Sequence, residues 1–173
     1  MIKPHGSEKL NPLLVRDTKR NKELQEEGVT LPSLLLNSTA AANAVMLGAG
    51  YFNPLTGYMN LEETISVSKD LHMKNGLFWP IPIINITKDV SGLNGKKRIA
   101  LRDPNITDNP IIAIMDIENI ELVTDEQIQA IVKEVFGTTD VSHPGVAIFY
   151  GLGNYLVSGK IEVLNFSYFK NEF

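Results

Sequence analysis

The stretch IIAIMDIENIELVTDEQIQAIVKEVF, residues 111–136, sets two β-branched runs directly before an amphipathic helix. Residues 111–115 and 117–123 are predicted to form two consecutive strands. Thr124 and Gln127 have the spacing of a capping box, and the apolar residues behind them recur at i, i+3, i+4 and i+7. Together these signals predict a strand pair followed by a helix that packs one face on a core.

Outward from this stretch, short helices and strands mix without a regular β-α-β alternation. Further helices are predicted at 17–27 with Gly28 as terminator, 39–47 with Ser38 as cap, 61–71 with Leu61 and Ile65 on one side, and from Pro144 onward. Further strands are predicted at 31–36, at 79–86 (broken by Pro80 and Pro82, hence at an edge or starting late), at 97–102, at 155–158 and at 161–164. This pattern favours an α+β fold with a small curved sheet or barrel over a doubly wound parallel sheet.

The composition bounds the class of protein. A length of 173 residues suits one domain, or one domain with a short appendage, and 43% hydrophobic residues supply a core. The absence of cysteine excludes disulfides, thiolate nucleophiles and cysteine-ligated metal from this chain. No apolar run approaches the ~20 residues of a membrane span. The polar start, residues 1–10, lacks the apolar core of a secretory signal, so we expect a cytoplasmic protein.

The charge balance argues against nucleic-acid binding. The formal net charge is -4, whereas phosphate contacts require clustered Lys and Arg. Only Lys96, Lys97, Arg98 and Arg102 form a candidate basic face, and it is small.

Histidines and glycine-rich motifs give no candidate catalytic centre. His5, His72 and His143 lack the spacing of helical metal ligands. No phosphate-binding loop or nucleophile elbow occurs in the sequence. We therefore predict no catalytic, cofactor-binding or metal-ligating residue in this chain.

The acidic residues have structural interpretations. The side chains of the adjacent pairs Glu26–Glu27 and Glu62–Glu63 are predicted to point in different directions on solvated helix faces. Asp103 and Asp108 lie in a loop with Pro and Asn, and both are predicted to form Asx-type turns.

Six segments in order along the chain carry a more specific signal. They are PHG with LNPL (4–6 and 10–13), MLGAGYFNPLTGYM (46–59), LFWPIPI (77–83), LRDP (101–104), FGTTD with HPGV (136–140 and 143–146), and YLVSGKIE (155–162). Together they resemble the N-terminal domain of the ATP sulfurylase (sulfate adenylyltransferase) family. The resemblance implies a PUA-like fold, a small pseudo-barrel with flanking helices, over residues 1–164. Residues 165–173 would then begin a linker into a catalytic domain of the same protein.

The resemblance also implies a division of labour. The family converts MgATP and sulfate to adenosine 5′-phosphosulfate and pyrophosphate in a following domain that carries Q-x-R-N and H-x-x-H motifs. Neither motif occurs here. We therefore expect an isolated N-terminal domain that is inactive alone, needs no cofactor itself and belongs to a homo-oligomeric, MgATP-using enzyme. A PUA-like RNA-binding module and a stand-alone oligomerisation or regulatory domain are the alternatives.

Several of the shared residues are expected to have structural roles. Pro54 and Gly57 would fix a turn, and Pro144 would set a helix start. Trp79 would fill a core or a seam between domains. His143, at the start of the same helix as Pro144, would place an imidazole at a domain boundary if it faces the catalytic domain.

Overall fold

The fold is built on one six-stranded sheet. The computed structural model describes residues 2–169. Its strands are β1 (Ser33–Leu35), β2 (Gly57–Tyr58), β3 (Ile86–Thr87), β4 (Arg98–Arg102), β5 (Ile111–Leu122) and β6 (Tyr155–Val163). The strand order is β1-β4-β5-β6-β2, and β3 also pairs with β6. β1 runs parallel to β4, and the other pairs are antiparallel.

Helices cover both faces of this sheet. The helices are α1 (Thr18–Thr30), α2 (Ser38–Ala49), α3 (Leu61–Asp70), α4 (Asp125–Phe136) and α5 (Pro144–Gly151). Of these, α1 and α2 lie on opposite faces. Successive residues of a strand point to opposite faces, and β4 follows this rule. Ile99 and Leu101 join the main core with Ala44 of α2, whereas Ala100 lies in a separate cluster with Leu24 of α1.

The remaining helices pack at the end of the sheet where β3 pairs with β6. Val132 of α4 and Val146 of α5 are fully buried in one cluster with Ile86 and Leu156. α3 packs beside α4. This end therefore has its own small core, next to the main one.

The helix predicted from the opening stretch is confirmed. The Thr124 hydroxyl accepts from the Gln127 N–H at 3.3 Å, and the Gln127 side chain accepts from the Thr124 N–H at 2.9 Å. The helix ends at Gly137, which is left-handed with φ 71°. Strand β4 also lies where it was predicted.

The prediction of two strand pairs was wrong. Residues 111–122 form one strand, and so do residues 155–163. Each strand passes through an irregularity without ending: the register of β5 against β6 shifts between Ile117 and Asn119. Gly159 sits in β6 with φ 150°, a conformation that glycine adopts at little cost.

The predicted end of α1 was also wrong. Gly28 does not terminate the helix, which continues to Thr30. A Cβ at Gly28 would lie 2.8 Å from Cδ1 of Ile111 and 3.0 Å from Cδ1 of Ile114. Gly28 is therefore the point where the helix rests on the sheet, and its missing side chain permits the close approach.

Three local predictions need correction. α2 begins at Ser38, one residue before the predicted start, because the side chain of Asn37 rather than Ser38 caps it by accepting from the Ala40 N–H. α3 buries Thr64, Val67 and Ser68, while Ile65 is exposed. Residues 79–85 form no strand; regular pairing begins at Ile86, beyond the two prolines that cannot donate to a ladder.

The α+β class is confirmed, with one refinement. Within the described residues the sheet follows an open path, since β1 and β2 are its two ends and do not pair with each other. No helix of residues 2–169 is long and apolar enough to cross a membrane. Residues 170–173 of the predicted linker lie outside the described residues.

Candidate functional site

Two of the three histidines meet at one phenylalanine. His5 donates from Nε2 to the Phe78 carbonyl at 2.8 Å. The ring of His72 lies edge-on to the Phe78 ring at 5.7 Å, and its Nδ1 donates to the Asp70 carbonyl at 2.7 Å. Both imidazoles therefore hold loop backbone in place. The part of the chain between residues 2 and 169 has no group of three acidic or histidine side chains that could bind a metal.

His143 lies elsewhere and caps a helix. Its Nδ1 accepts from the Val146 N–H at 3.4 Å, and Pro144 occupies the first turn of α5 as predicted. The imidazole also packs on Phe136 at the end of α4, with ring centroids 5.5 Å apart. These contacts give His143 a structural role where α4 meets α5.

The candidate basic face does not form, because Arg98 is engaged by carboxylates. Its Nη1 donates to Glu27 Oε2 at 2.7 Å and its Nη2 to Glu162 Oε2 at 2.8 Å. Its Nε lies 2.9 Å from Asp116 Oδ1, without the alignment of a hydrogen bond. Arg102 donates to the Asn109 carbonyl at 3.0 Å. Lys96 and Lys97 remain as exposed charges.

The predicted Asx turn is confirmed at Asp103, whose carboxylate also binds a residue far away in sequence. Its Oδ1 accepts from the Asn105 N–H at 2.9 Å, and its Oδ2 accepts from the Ser167 hydroxyl. Asp103 is buried and therefore ties the C-terminal segment to this loop. Asp108 takes a left-handed conformation, with φ 67°.

The two glutamate pairs differ. Glu26 faces Lys22 and Glu27 faces Arg98, as predicted for diverging side chains.

Glu62 and Glu63 converge instead. Glu62 pairs with the Lys74 ammonium at 2.9 Å, and Glu63 accepts from the Lys74 N–H at 2.9 Å. The hydrogen bond and charge of Glu62 raise the pKa of Lys74. This exposed group closes a loop by holding Lys74 against α3.

Two neighbouring cavities give one part of the surface an apolar character. Two cavities of about 310 and 290 Å³ share Ile81. The first lies among aromatic side chains, including Tyr51, Phe52 and Phe78. The second lies between the N-terminal half of α2 and helices α4 and α5, with Ile148 on its rim. We call these two cavities and their exposed rims the apolar surface.

Buried aromatic packing and hydrogen bonds support the apolar surface. Trp79, predicted to fill a core or a seam between domains, is buried in the main core and also lines the first cavity. Its ring meets Phe52 edge-on at 6.2 Å and His5 at 6.0 Å. The side chain of Asn53 holds the N-terminal arm over this region by donating to the His5 carbonyl at 2.9 Å.

A family model described as a PUA-like domain matches residues 2–166. The chain belongs to the PUA-like domain family. The structure named "Hexameric APS kinase from Thiobacillus denitrificans" shares this fold, with a TM-score of 0.64 and 24% identity over 95% of this chain and 27% of that one.

Curated relatives of this PUA-like domain are named sulfate adenylyltransferase. The protein of Alcanivorax borkumensis is 54% identical over 100% of this chain and 43% of its own length. That of Allochromatium vinosum is 45% identical over 100% of this chain and 44% of its own length. The chain thus spans less than half the length of these relatives and matches their N-terminal part, which confirms the resemblance read from the sequence motifs.

Sequence reasoning missed the apolar surface of the PUA-like domain. It assigned the W-P-I-P-I run to a strand at 79–86. The usable signal was the pair of prolines, which hold Ile81 in an unpaired segment where its side chain is half exposed.

Proposed function

We propose that this chain is the N-terminal scaffold domain of a sulfate adenylyltransferase and does not itself catalyse the reaction. The observation that carries the proposal is the similarity over the full chain to proteins of that name, of which it spans 43% and 44% in two cases. A PUA-like domain hosts different functions in different proteins, so the fold alone would not support this assignment.

The engagement of the charged groups supports a non-catalytic role. Attack of sulfate on the α-phosphorus of ATP requires fixed cationic donors around the developing charge. Arg98 is instead committed to three carboxylates and Arg102 to a backbone carbonyl. The commitment of these two arginines supports a domain that leaves the binding of MgATP to another part of the full-length protein.

The scaffold role is tested by measuring pyrophosphate release from MgATP with and without sulfate. Three proteins are compared: the 173-residue chain, the full-length protein that contains it, and the full-length Alcanivorax borkumensis relative as positive control. We expect sulfate-dependent release from both full-length proteins and none from the chain. Sulfate-dependent turnover by the chain alone would overturn the scaffold role. Absence of that turnover from the full-length protein would overturn the assignment of the full-length protein as a sulfate adenylyltransferase.

Two further features are proposed from the family resemblance. The full-length protein is a homo-oligomer, and it works in the cytoplasm. Light scattering of the purified full-length protein tests the first, since a monomer mass at micromolar concentration would contradict it. Cell fractionation tests the second.

A further inference from the structure

The apolar surface carries exposed hydrophobic side chains, and within residues 2–169 its cavities are lined by no carboxylate, ammonium or guanidinium group. None of the described residues that line its two cavities is Asp, Glu, Lys or Arg, although 21% of the chain is charged. Phe78, Ile81 and Ile148 on its rim are 50%, 50% and 61% exposed. Depletion of charge around exposed aromatic and aliphatic groups is the composition of an interface centre.

The opposite face of the sheet differs in character. There α1 lies over the sheet, and Glu27, Arg98 and Glu162 form a partly exposed ionic cluster. Charged rims and clusters are costly to desolvate, so this face suits solvent better than a partner. Of the two faces, the apolar surface is the one suited to permanent cover.

The C-terminal segment is held beside the apolar surface by a relay of side chains. Ser167 donates to Asp103, and the side chain and N–H of Asn105 donate to the same carboxylate at 3.0 and 2.9 Å. Ser38, the first residue of α2, donates to Asn105 Oδ1 at 2.8 Å. We call Ser38, Asp103, Asn105 and Ser167 the C-terminal clamp.

The clamp and the apolar surface share the start of α2. Asn37 and Thr39, on either side of Ser38, both line the second cavity, and so does Asn43 one turn further on. With a rise of about 1.5 Å per residue, Asn43 lies only about 8 Å along the helix from the clamp. A chain that continues beyond the clamp therefore starts at the edge of the apolar surface.

We propose that the apolar surface is the docking face for the polypeptide that follows residue 173 in the full-length protein. This rests on the proposed function, because more than half of each curated relative's length lies outside the matched part. The clamp fixes where that polypeptide leaves, and Phe78, Ile81 and Ile148 supply its apolar contacts. Burial of these side chains stabilises the pairing of the two parts without an ionic contact.

Thiol labelling of the full-length protein tests the docking face. The 173 residues contain no cysteine, so Ile148→Cys and Ile81→Cys each add a single reporter to this domain, and Val29→Cys on α1 is the exposed control. Mass spectrometry identifies the labelled peptide, and circular dichroism verifies the fold of each variant. We expect labelling at 148 and 81 to be at least about tenfold slower than at 29, because a covered thiol reacts slowly. Less protection at both sites would overturn the proposal.

A photo-cross-link identifies the occupant. Phe78 is replaced by p-benzoylphenylalanine in the full-length protein, which preserves an aromatic ring at a half-exposed position. Cross-links within one polypeptide to residues beyond 173 support the proposal. A product of dimer mass would place a second copy on the surface and overturn it.

Pyrophosphate release by the unsubstituted full-length protein is scored separately. If the cysteines at 148 and 81 are protected from labelling but the full-length protein shows no turnover, the proposed enzyme is overturned and the docking face is not. If the protein turns over but these cysteines are labelled freely, the docking face is overturned and the proposed enzyme is not.

Discussion

Gly57 lies where two strands come closest together. It pairs with Lys160, and a Cβ at Gly57 would overlap the carbonyl oxygen of Gly159 on the neighbouring strand. Its predicted role as a turn glycine was therefore wrong, since it has no positive φ and serves close approach instead. The absent side chain lets β2 lie against β6.

We predict that Gly57→Ala lowers the free energy of unfolding by about 3 kcal/mol, at the upper end of overpacking costs. Urea unfolding followed by fluorescence of the single tryptophan, Trp79, measures this. Gly92→Ala is the matched control, because nothing lies within 4 Å of its added Cβ and its φ is not positive. An equal effect of the two substitutions would contradict the close-approach argument.

Tyr58, the next residue, links stability to alkaline pH. Its hydroxyl donates to the Ala40 carbonyl at 2.7 Å, and burial raises the pKa of the phenol far above its usual 10.0. The folded state therefore keeps a proton that the unfolded chain loses. Stability from this group is fully present below pH 10 and falls above it by about 1.4 kcal/mol per pH unit.

Tyr58→Phe isolates this effect. We expect it to cost about 1 kcal/mol at pH 7 through the lost hydrogen bond and to remove the Tyr58 part of the alkaline decline. Unfolding free energies of the two proteins measured between pH 8 and pH 11 should converge as pH rises. Parallel curves would show that the phenol of Tyr58 ionises without unfolding.

At the scale of elements, Arg98 joins α1 to the sheet. Glu27 belongs to α1, Asp116 to β5 and Glu162 to β6, and Arg20 of α1 adds a second contact to Glu162 at 3.0 Å. Three carboxylates from three elements would repel one another without the guanidinium. The cluster is partly exposed, so its contribution lies between those of buried and surface pairs.

We predict that Arg98→Ala destabilises the fold by about 2 kcal/mol, after allowance for solvent screening. The loss of unfolding free energy should be smaller in 1 M NaCl, since salt weakens the repulsion among the three carboxylates that remain. Lys22→Ala removes an exposed pair with Glu26 on α1 and should cost less than about 0.5 kcal/mol. Equal losses for the two variants, unaffected by salt, would refute the role of the cluster.

The same elements show what sequence can predict. α4 is predictable because its cap, apolar face and terminating glycine are local signals. Gly28 was misread because its reason for being glycine lies in Ile111 and Ile114, far away in sequence. The sequence predicted two strands divided at Gly159 for the same reason. This glycine allows the backbone of Asp116 on the neighbouring strand to approach closely, and it does not end the strand.

The candidate site follows this rule too. Tyr51, Phe78 and Ile148 come from three separate segments that only the fold brings to one surface. Each is a common kind of exposed residue on its own. Their adjacency, which gives the surface its meaning, depends on the unpaired segment between Trp79 and Ile86 that the strand prediction concealed.

At the scale of the whole molecule, net charge and its distribution decide between the scaffold and RNA-binding alternatives. The formal net charge of the chain is -4, and acidic side chains form ion pairs with Arg98 and Arg20. RNA affinity depends on free Lys and Arg that can release counterions from phosphates. Lys96 and Lys97 are exposed, but two lysines give a weak electrostatic footprint.

We therefore predict that the 173-residue chain binds RNA no more tightly than about 100 μM at physiological salt, the weak end of non-specific binding. Fluorescence anisotropy with labelled single-stranded and hairpin RNA measures this. Glu27→Gln combined with Glu162→Gln is the informative comparison, because it neutralises two of the three carboxylates around Arg98 and the one that pairs with Arg20, without removing a side chain. If that variant gains salt-dependent binding while the parent has none, intramolecular carboxylates suppress the RNA affinity of this face. Micromolar binding by the parent, with a steep dependence on salt, would instead favour the RNA-binding alternative over the scaffold.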